Sequence, residues 1–317
     1  MQHSDVIRLD TSKAVSHRSR KSQFDVEFEP ETGTLWTWLN PAGTPCFNLG
    51  LLNDIRVHDS LLQANEGKVL HQGEMRAVRT YVKGSRTPGV YNLGGDLALF
   101  VLLIKSRERE ALAHYGKLCI DNMYPRIRNF GLNSLTMISL VQGDALGGGL
   151  EDVLSSDLVI AEEGAQLGLP EILFNLFPGM GAFSLLSRRI GMRAAEELIT
   201  SGRIVSAAKM HELGVVDILV KNGEGEAATR QWIAKNQKRQ NALQAVYAAR
   251  RQVNPIERAE LDNIVDIWVD AALRLGDRDL KMMERIVRAQ MKRMDAAAAA
   301  AAMPGLAEPQ EAAIALA

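Results

Sequence analysis

The stretch that most restricts what this chain can become is "SLTMISLVQGDALGGGLE", residues 134–151. A largely apolar run reads as a buried strand ending at Gly143, and helical spacing resumes near Leu150. Between them stand three consecutive glycines. Glycine loses more backbone entropy on folding than any other residue, so three in a row imply a tight turn or a close approach. A glycine turn between a strand and a helix N-terminus leaves successive backbone N–H groups without partners. Such donors can stabilise negative charge developing on an oxygen, with no side chain in the way. Gly148 is placed for this, and a second pair, Gly94 and Gly95 in "YNLGGDLALF", also stands in a loop before a helix. Tight turning alone would account for either loop taken singly.

Two carboxylates accompany the glycines. Glu151 lies two residues past the triple glycine, and Glu171 lies in "GLPEILF" among Leu169, Pro170, Ile172 and Leu173. A carboxyl buried among apolar neighbours has a raised pKa, which suits proton transfer near neutral pH. The alternatives are ordinary: Glu151 favouring a helix N-terminus, and Glu171 on the surface after a proline.

Other chemistries lack their residues. The six histidines are scattered, with no pair at metal-ligand spacing and no His-Glu-x-x-His. There is no Gly-x-Ser-x-Gly elbow. The glycine run is followed by neither the Lys-Ser/Thr of a nucleotide loop nor the spacing of a dinucleotide loop. No metal or redox cofactor is expected. Two cysteines, Cys46 and Cys119, cannot make a disulfide framework. A net charge of −1 gives no general reason to expect nucleic acid as partner. The opening "MQHSDVIRLDTSK" has no signal-peptide core, and no run of about 18 apolar residues would span a membrane. A cytoplasmic setting follows as the expectation.

The pattern divides the chain into a polar mobile arm over 1–22, an α/β core over 23–220, a helical region over 221–294 and an alanine-rich tail over 295–317, expected to be frayed. "FDVEFEPETGTLWTWLN" reads as a hairpin, "NLGLLNDIRVHDSLLQAN" as an amphipathic helix, and strands alternate with helices to about residue 190. In the helical region Trp268, Leu275, Met282, Met283 and Ile286 form an apolar stripe that covers core by default. Trp268 is also a pocket candidate, with Leu146, Leu150, Leu176, Phe177, Met180 and Phe183 near the glycine motif.

The run from "LVQGDALGGGLEDVL" to "GLPEILFNLFPGMGAFSLLSRRIG" resembles the crotonase (enoyl-CoA hydratase/isomerase) superfamily, over about residues 24–220. The resemblance implies a crotonase-like ββα spiral core with a helical C-terminal region, and trimers or dimers of trimers. By family position, Gly95 and Gly148 would supply oxyanion N–H groups, and Glu151 and Glu171 would match the two glutamates of the hydratases. "YNLGGDLALF", "AEEGAQLGLPEILFNLFPGMGAFS" and "IWVDAALRLGDRDLKMMERIVRAQ" are more narrowly similar to the diffusible-signal-factor synthases. That likeness implies dehydration and hydrolysis of 3-hydroxyacyl chains on acyl carrier protein, or on coenzyme A, giving a cis-2-unsaturated acid. It also implies restraint by a sensor kinase's receiver domain, for which no motif marks a contact. An enoyl-CoA hydratase of fatty-acid oxidation and a non-catalytic crotonase-like binding protein are the rival expectations.

Overall fold

The protein, seen as a computed structural model, is described over residues 21–302, with side chains to Lys292. Segments 1–20 and 303–317 lie outside the described residues, and with them nearly all of the expected arm and the end of the tail.

The chain opens with the expected hairpin, β1 (Phe24–Glu29) and β2 (Thr34–Leu39). Helix α1 (Leu49–Ala64) follows, started by the Asn48 side chain accepting from the Leu51 N–H at 2.9 Å. A ribbon of β3 (Lys68–His71) and β4 (Glu74–Ala77) leads to β5 (Thr80–Ser85). Next come β6 (Val90–Asn92), α2 (Leu97–Lys105) and α3 (Arg109–Ile127). The motif region contains β7 (Thr136–Val141), β8 (Asp144–Leu146), α4 (Gly148–Leu154), β9 (Leu158–Glu162), β10 (Gln166–Gly168) and a 3-10 turn, Pro170–Phe174. The rest is α5 (Ala182–Ile190), α6 (Met192–Ser201), β11 (Ile204–Ser206), α7 (Ala207–Glu212), β12 (Ile218–Val220), then α8 (Gly225–Asn236), α9 (Gln240–Val253), α10 (Arg258–Ala272) and α11 (Asp277–Ala302).

Six strands form one sheet in the order β1-β2-β5-β7-β9-β12, antiparallel only between β1 and β2. Every residue of β2 and β7 is buried, as expected for strands covered on both faces. A second sheet runs β11-β10-β8-β6, with β6, β8 and β10 parallel. Parallel neighbours deliver their following loops to the same edge, where ligands of α/β folds bind. Here those loops carry Gly94-Gly95, the triple glycine with Glu151, and Glu171.

The helical C-terminal region is not separate from the core. Leu261, Val265, Trp268 and Val269 of α10 and Leu280 and Met283 of α11 belong to the same apolar cluster as α1, α3 and α4. Each such buried side chain contributes about 1.5–3 kcal/mol. Helix α11 runs to Ala302, into the stretch set apart as the alanine-rich tail, in keeping with alanine being the best helix former. A short strand, β8, also stands where the glycine turn was expected to begin, paired with β6 on one side and β10 on the other. Among the described residues no helix is long and apolar enough to cross a membrane.

Candidate active site

The two glycine loops cross at the ends of β6 and β8. Gly94 has a φ of +98°, and a Cβ there would lie 2.9 Å from the Gly148 nitrogen. A Cβ on Gly149 would lie 2.1 Å from the Asn92 carbonyl oxygen. Gly147, at φ +53°, caps the start of α4, and a Cβ on it would meet the Glu171 Oε1 at 2.5 Å. Backbone crossing and a carboxylate overhead therefore explain the run of glycines. Gly95 and Gly148 keep part of their surface open, while Gly94, Gly147 and Gly149 are buried. Among the described residues neither the Gly95 nor the Gly148 N–H has a hydrogen-bond acceptor. Both line one cleft of about 1480 Å³.

Glu151, in the first turn of α4, is 2% exposed. Its Oε1 accepts from the Met180 and Ala182 N–H groups at 2.9 and 3.0 Å. Burial pushes its carboxyl up to about 7 even though both hydrogen bonds favour the anion. Glu171 stands on the 3-10 turn. Its residue surface is only half-buried, but its Oε2 is shut off from solvent and accepts no hydrogen bond. Burial first, and the Glu151 carboxylate second, push it up to about 8. Both glutamates line the cleft with the two open amides. Glu151 does stand at a helix start, as its ordinary reading has it, but it is also buried and faces the cleft, and Glu171 is a half-buried side chain with one carboxyl oxygen shut off from solvent.

Behind Glu151 lies a charged group that the sequence reading missed. Asp152 contacts Lys83 at 2.8 Å, Arg126 at 3.9 Å and the Tyr91 hydroxyl at 2.6 Å. Burial alone would raise the Asp152 carboxyl, but Lys83 and Arg126 outweigh it and hold it below the usual range. Arg126 also donates to Ser155 and Ser156 just past α4. The network ties α4 to β5, β6 and α3. A lysine in the middle of the apolar strand "TYVKG" is the signal that could have revealed it.

Of the pocket candidates, Leu146, Leu176, Phe177, Met180 and Trp268 line the cleft. Leu150 does not: it is fully buried in the core. Consecutive helical residues point about 100° apart, so with Glu151 facing the cleft Leu150 turns inward. Phe183 lines a separate depression with Met192 and Ile267. The stripe expected as core divides: Met283 is buried, whereas Met282 and Ile286 of α11 reach the cleft. Phe100, Tyr115, Cys119 and Met123 of α2 and α3 form an unforeseen wall.

The family model for enoyl-CoA hydratase/isomerase matches residues 69–267, more than half of the chain. The human mitochondrial methylglutaconyl-CoA hydratase is 33% identical over 156 residues, 49% of this chain and 44% of that protein. The chain spans about half the length of such hydratase relatives. Among solved structures, Pseudomonas aeruginosa DspI is 25% identical, with a TM-score of 0.61 over 76% of this chain and 84% of that one. The human mitochondrial delta3-delta2-enoyl-CoA isomerase shares the fold, with a TM-score of 0.64 and 20% identity over 86% of this chain and 99% of that one. With its parallel sheets, crossed glycine loops and carboxylate-lined cleft, the chain belongs to the enoyl-CoA hydratase/isomerase (crotonase) family.

Proposed function

We propose that the chain is a 3-hydroxyacyl-thioester dehydratase and thioesterase that releases a cis-2-unsaturated fatty acid of the diffusible-signal type. The observation that carries the reading is the pairing of two buried carboxylates, both with raised pKa values, with two open backbone N–H groups in one cleft. The similarity of the loop motifs and C-terminal helices to the diffusible-signal-factor synthases supports the choice of substrate.

The thioester oxygen of a medium-chain 3-hydroxyacyl group would sit between the Gly95 and Gly148 N–H groups. One carboxylate takes a C2 proton, and charge moves onto the held oxygen. Loss of one such donor typically costs about 2.7–4 kcal/mol of barrier. The C3–O bond then breaks, and the protonated partner supplies the proton that makes the leaving group water. The charge on Glu151 raises the Glu171 carboxyl, so the two are coupled, and a pair holding one proton provides both acid and base. That proton is favoured on Glu171, because Glu151 has two donors to favour its anion and Glu171 Oε2 has none. Hydrolysis reuses the same groups. A carboxylate removes a proton from water as it adds to C1, the amides hold the tetrahedral oxyanion, and the C1–S bond breaks as the carboxyl passes that proton to the departing sulfur. The acyl chain would run along Leu176, Met180 and Trp268, with the carrier, acyl carrier protein or coenzyme A, at the mouth. A cytoplasmic trimer or hexamer belongs to the same reading, as does restraint by a receiver domain.

Mass spectrometry of purified protein incubated with 3-hydroxydodecanoyl thioester tests the proposal. Free cis-2-dodecenoic acid is expected. A second reading, hydration of trans-2-enoyl-CoA, is favoured by the curated relatives that are named as hydratases. Turnover confined to 3-hydroxyacyl-CoA and trans-enoyl-CoA, with no free acid, would select it.

A further inference from the structure

Gly95 is useful as a donor only if its peptide plane is fixed, and three contacts fix it. The Gly94 carbonyl belongs to the same peptide as the Gly95 N–H, and it accepts from the Phe47 N–H at 2.8 Å. In a trans peptide this turns the Gly95 N–H away from Phe47. On the far side, the Asp96 N–H, part of the next peptide, donates to the Tyr115 hydroxyl at 3.2 Å. The same hydroxyl donates its own proton to the Phe47 carbonyl at 2.6 Å. One oxygen of α3 thus joins the segment that holds Gly94 to the residue that follows Gly95. Its hydrogen bonding is self-consistent, with one proton given and one accepted. The Tyr115 ring is fixed in turn by an edge contact with Phe100 at 4.9 Å, and the Phe100 ring covers Gly95.

We infer that Tyr115 is a positioning residue for the reaction: its hydroxyl aligns the Gly95 N–H with the developing oxyanion by clamping Phe47 and Asp96. The inference rests on the reading of Gly95 as an oxyanion donor. Tyr115 also lines the cleft, but the inferred role is that of its hydroxyl acting through the backbone, which Tyr115→Phe isolates because the ring is kept.

Tyr115→Phe keeps the ring and its packing on Phe100 and removes only the hydroxyl. Direct loss of an oxyanion donor lowers kcat about 10²- to 10³-fold, so a misaligned donor is expected to lower kcat about 10- to 100-fold while KM stays within about threefold. The spectroscopic test uses [1-13C]dodecanoyl-CoA bound to Glu151→Gln, which blocks turnover. The infrared carbonyl stretch is expected at lower frequency than in solution. In Glu151→Gln/Tyr115→Phe most of that displacement is expected to vanish with binding retained. Full displacement in the double variant, or a Tyr115→Phe defect in KM with kcat intact, overturns the role of Tyr115. No displacement in Glu151→Gln itself overturns the oxyanion reading, whatever Tyr115 does.

Discussion

The inner and outer walls of the cleft are built differently. The inner wall is α4 with the ends of β6, β8 and β10. It consists of crossed backbone, a buried Lys83-Asp152-Arg126 group and carboxyls shielded from solvent. The outer wall, α11 with the end of α10, is amphipathic. Trp268 is buried, but Met282 and Ile286 are only partly covered, and Lys281, Arg285 and Arg288 lie exposed beside them. Under the proposed function, the difference would put proton transfer and charge stabilisation on the buried, cross-braced wall, and leave contact with the acyl chain to the half-covered side chains of the outer one.

The most severe way to test that division is to neutralise the inner carboxyls. Glu151→Gln and Glu171→Gln are each expected to lower turnover of 3-hydroxydodecanoyl thioester by about 10²–10⁴-fold, as loss of general acid–base catalysis does. Fold should be kept, as judged by circular dichroism. Next comes the support beneath. Lys83→Met leaves Asp152 facing Arg126 without its nearest charged partner, and removing one member of a buried pair costs about 3–5 kcal/mol. Urea unfolding should show that loss.

A gentler test uses pH. The folded protein holds the Glu171 proton more tightly than the unfolded chain, since its carboxyl is pushed up to about 8. The associated stability is therefore present below the ordinary glutamate value and is lost as pH rises toward 8. Glu171→Gln does not ionise, so its melting temperature should match wild type at pH ~4 and exceed it by roughly a few degrees at pH ~9. The smallest effect belongs to the outer wall. Ile286→Ala should change kcat/KM by about three- to tenfold, through KM, with kcat nearly unchanged. An outer-wall variant that abolished kcat would erase the distinction between the walls.

Much of the site was legible in the sequence because its parts are local. "ALGGGLE", "NLGGDL" and "GLPEILF" each place a donor or a carboxyl within a few residues of a strand end, and the parallel pairing of β6, β8 and β10 brings the three together. The supporting parts were not legible. Tyr115 reaches Phe47 across 68 positions, and Lys83 reaches Asp152 across 69. No periodicity encodes such pairings. Leu150 was misassigned because helical phase could not be set until α4 was known to start at Gly148.

The central claim is that Glu151 and Glu171 share one proton beside the two open amides. The pH dependence of kcat/KM for 3-hydroxydodecanoyl-CoA tests it most directly. The expected profile is a bell with limbs near about 7 and about 8, falling in acid as both carboxyls become protonated and in base as both ionise. A rate that stays flat through that interval would contradict it.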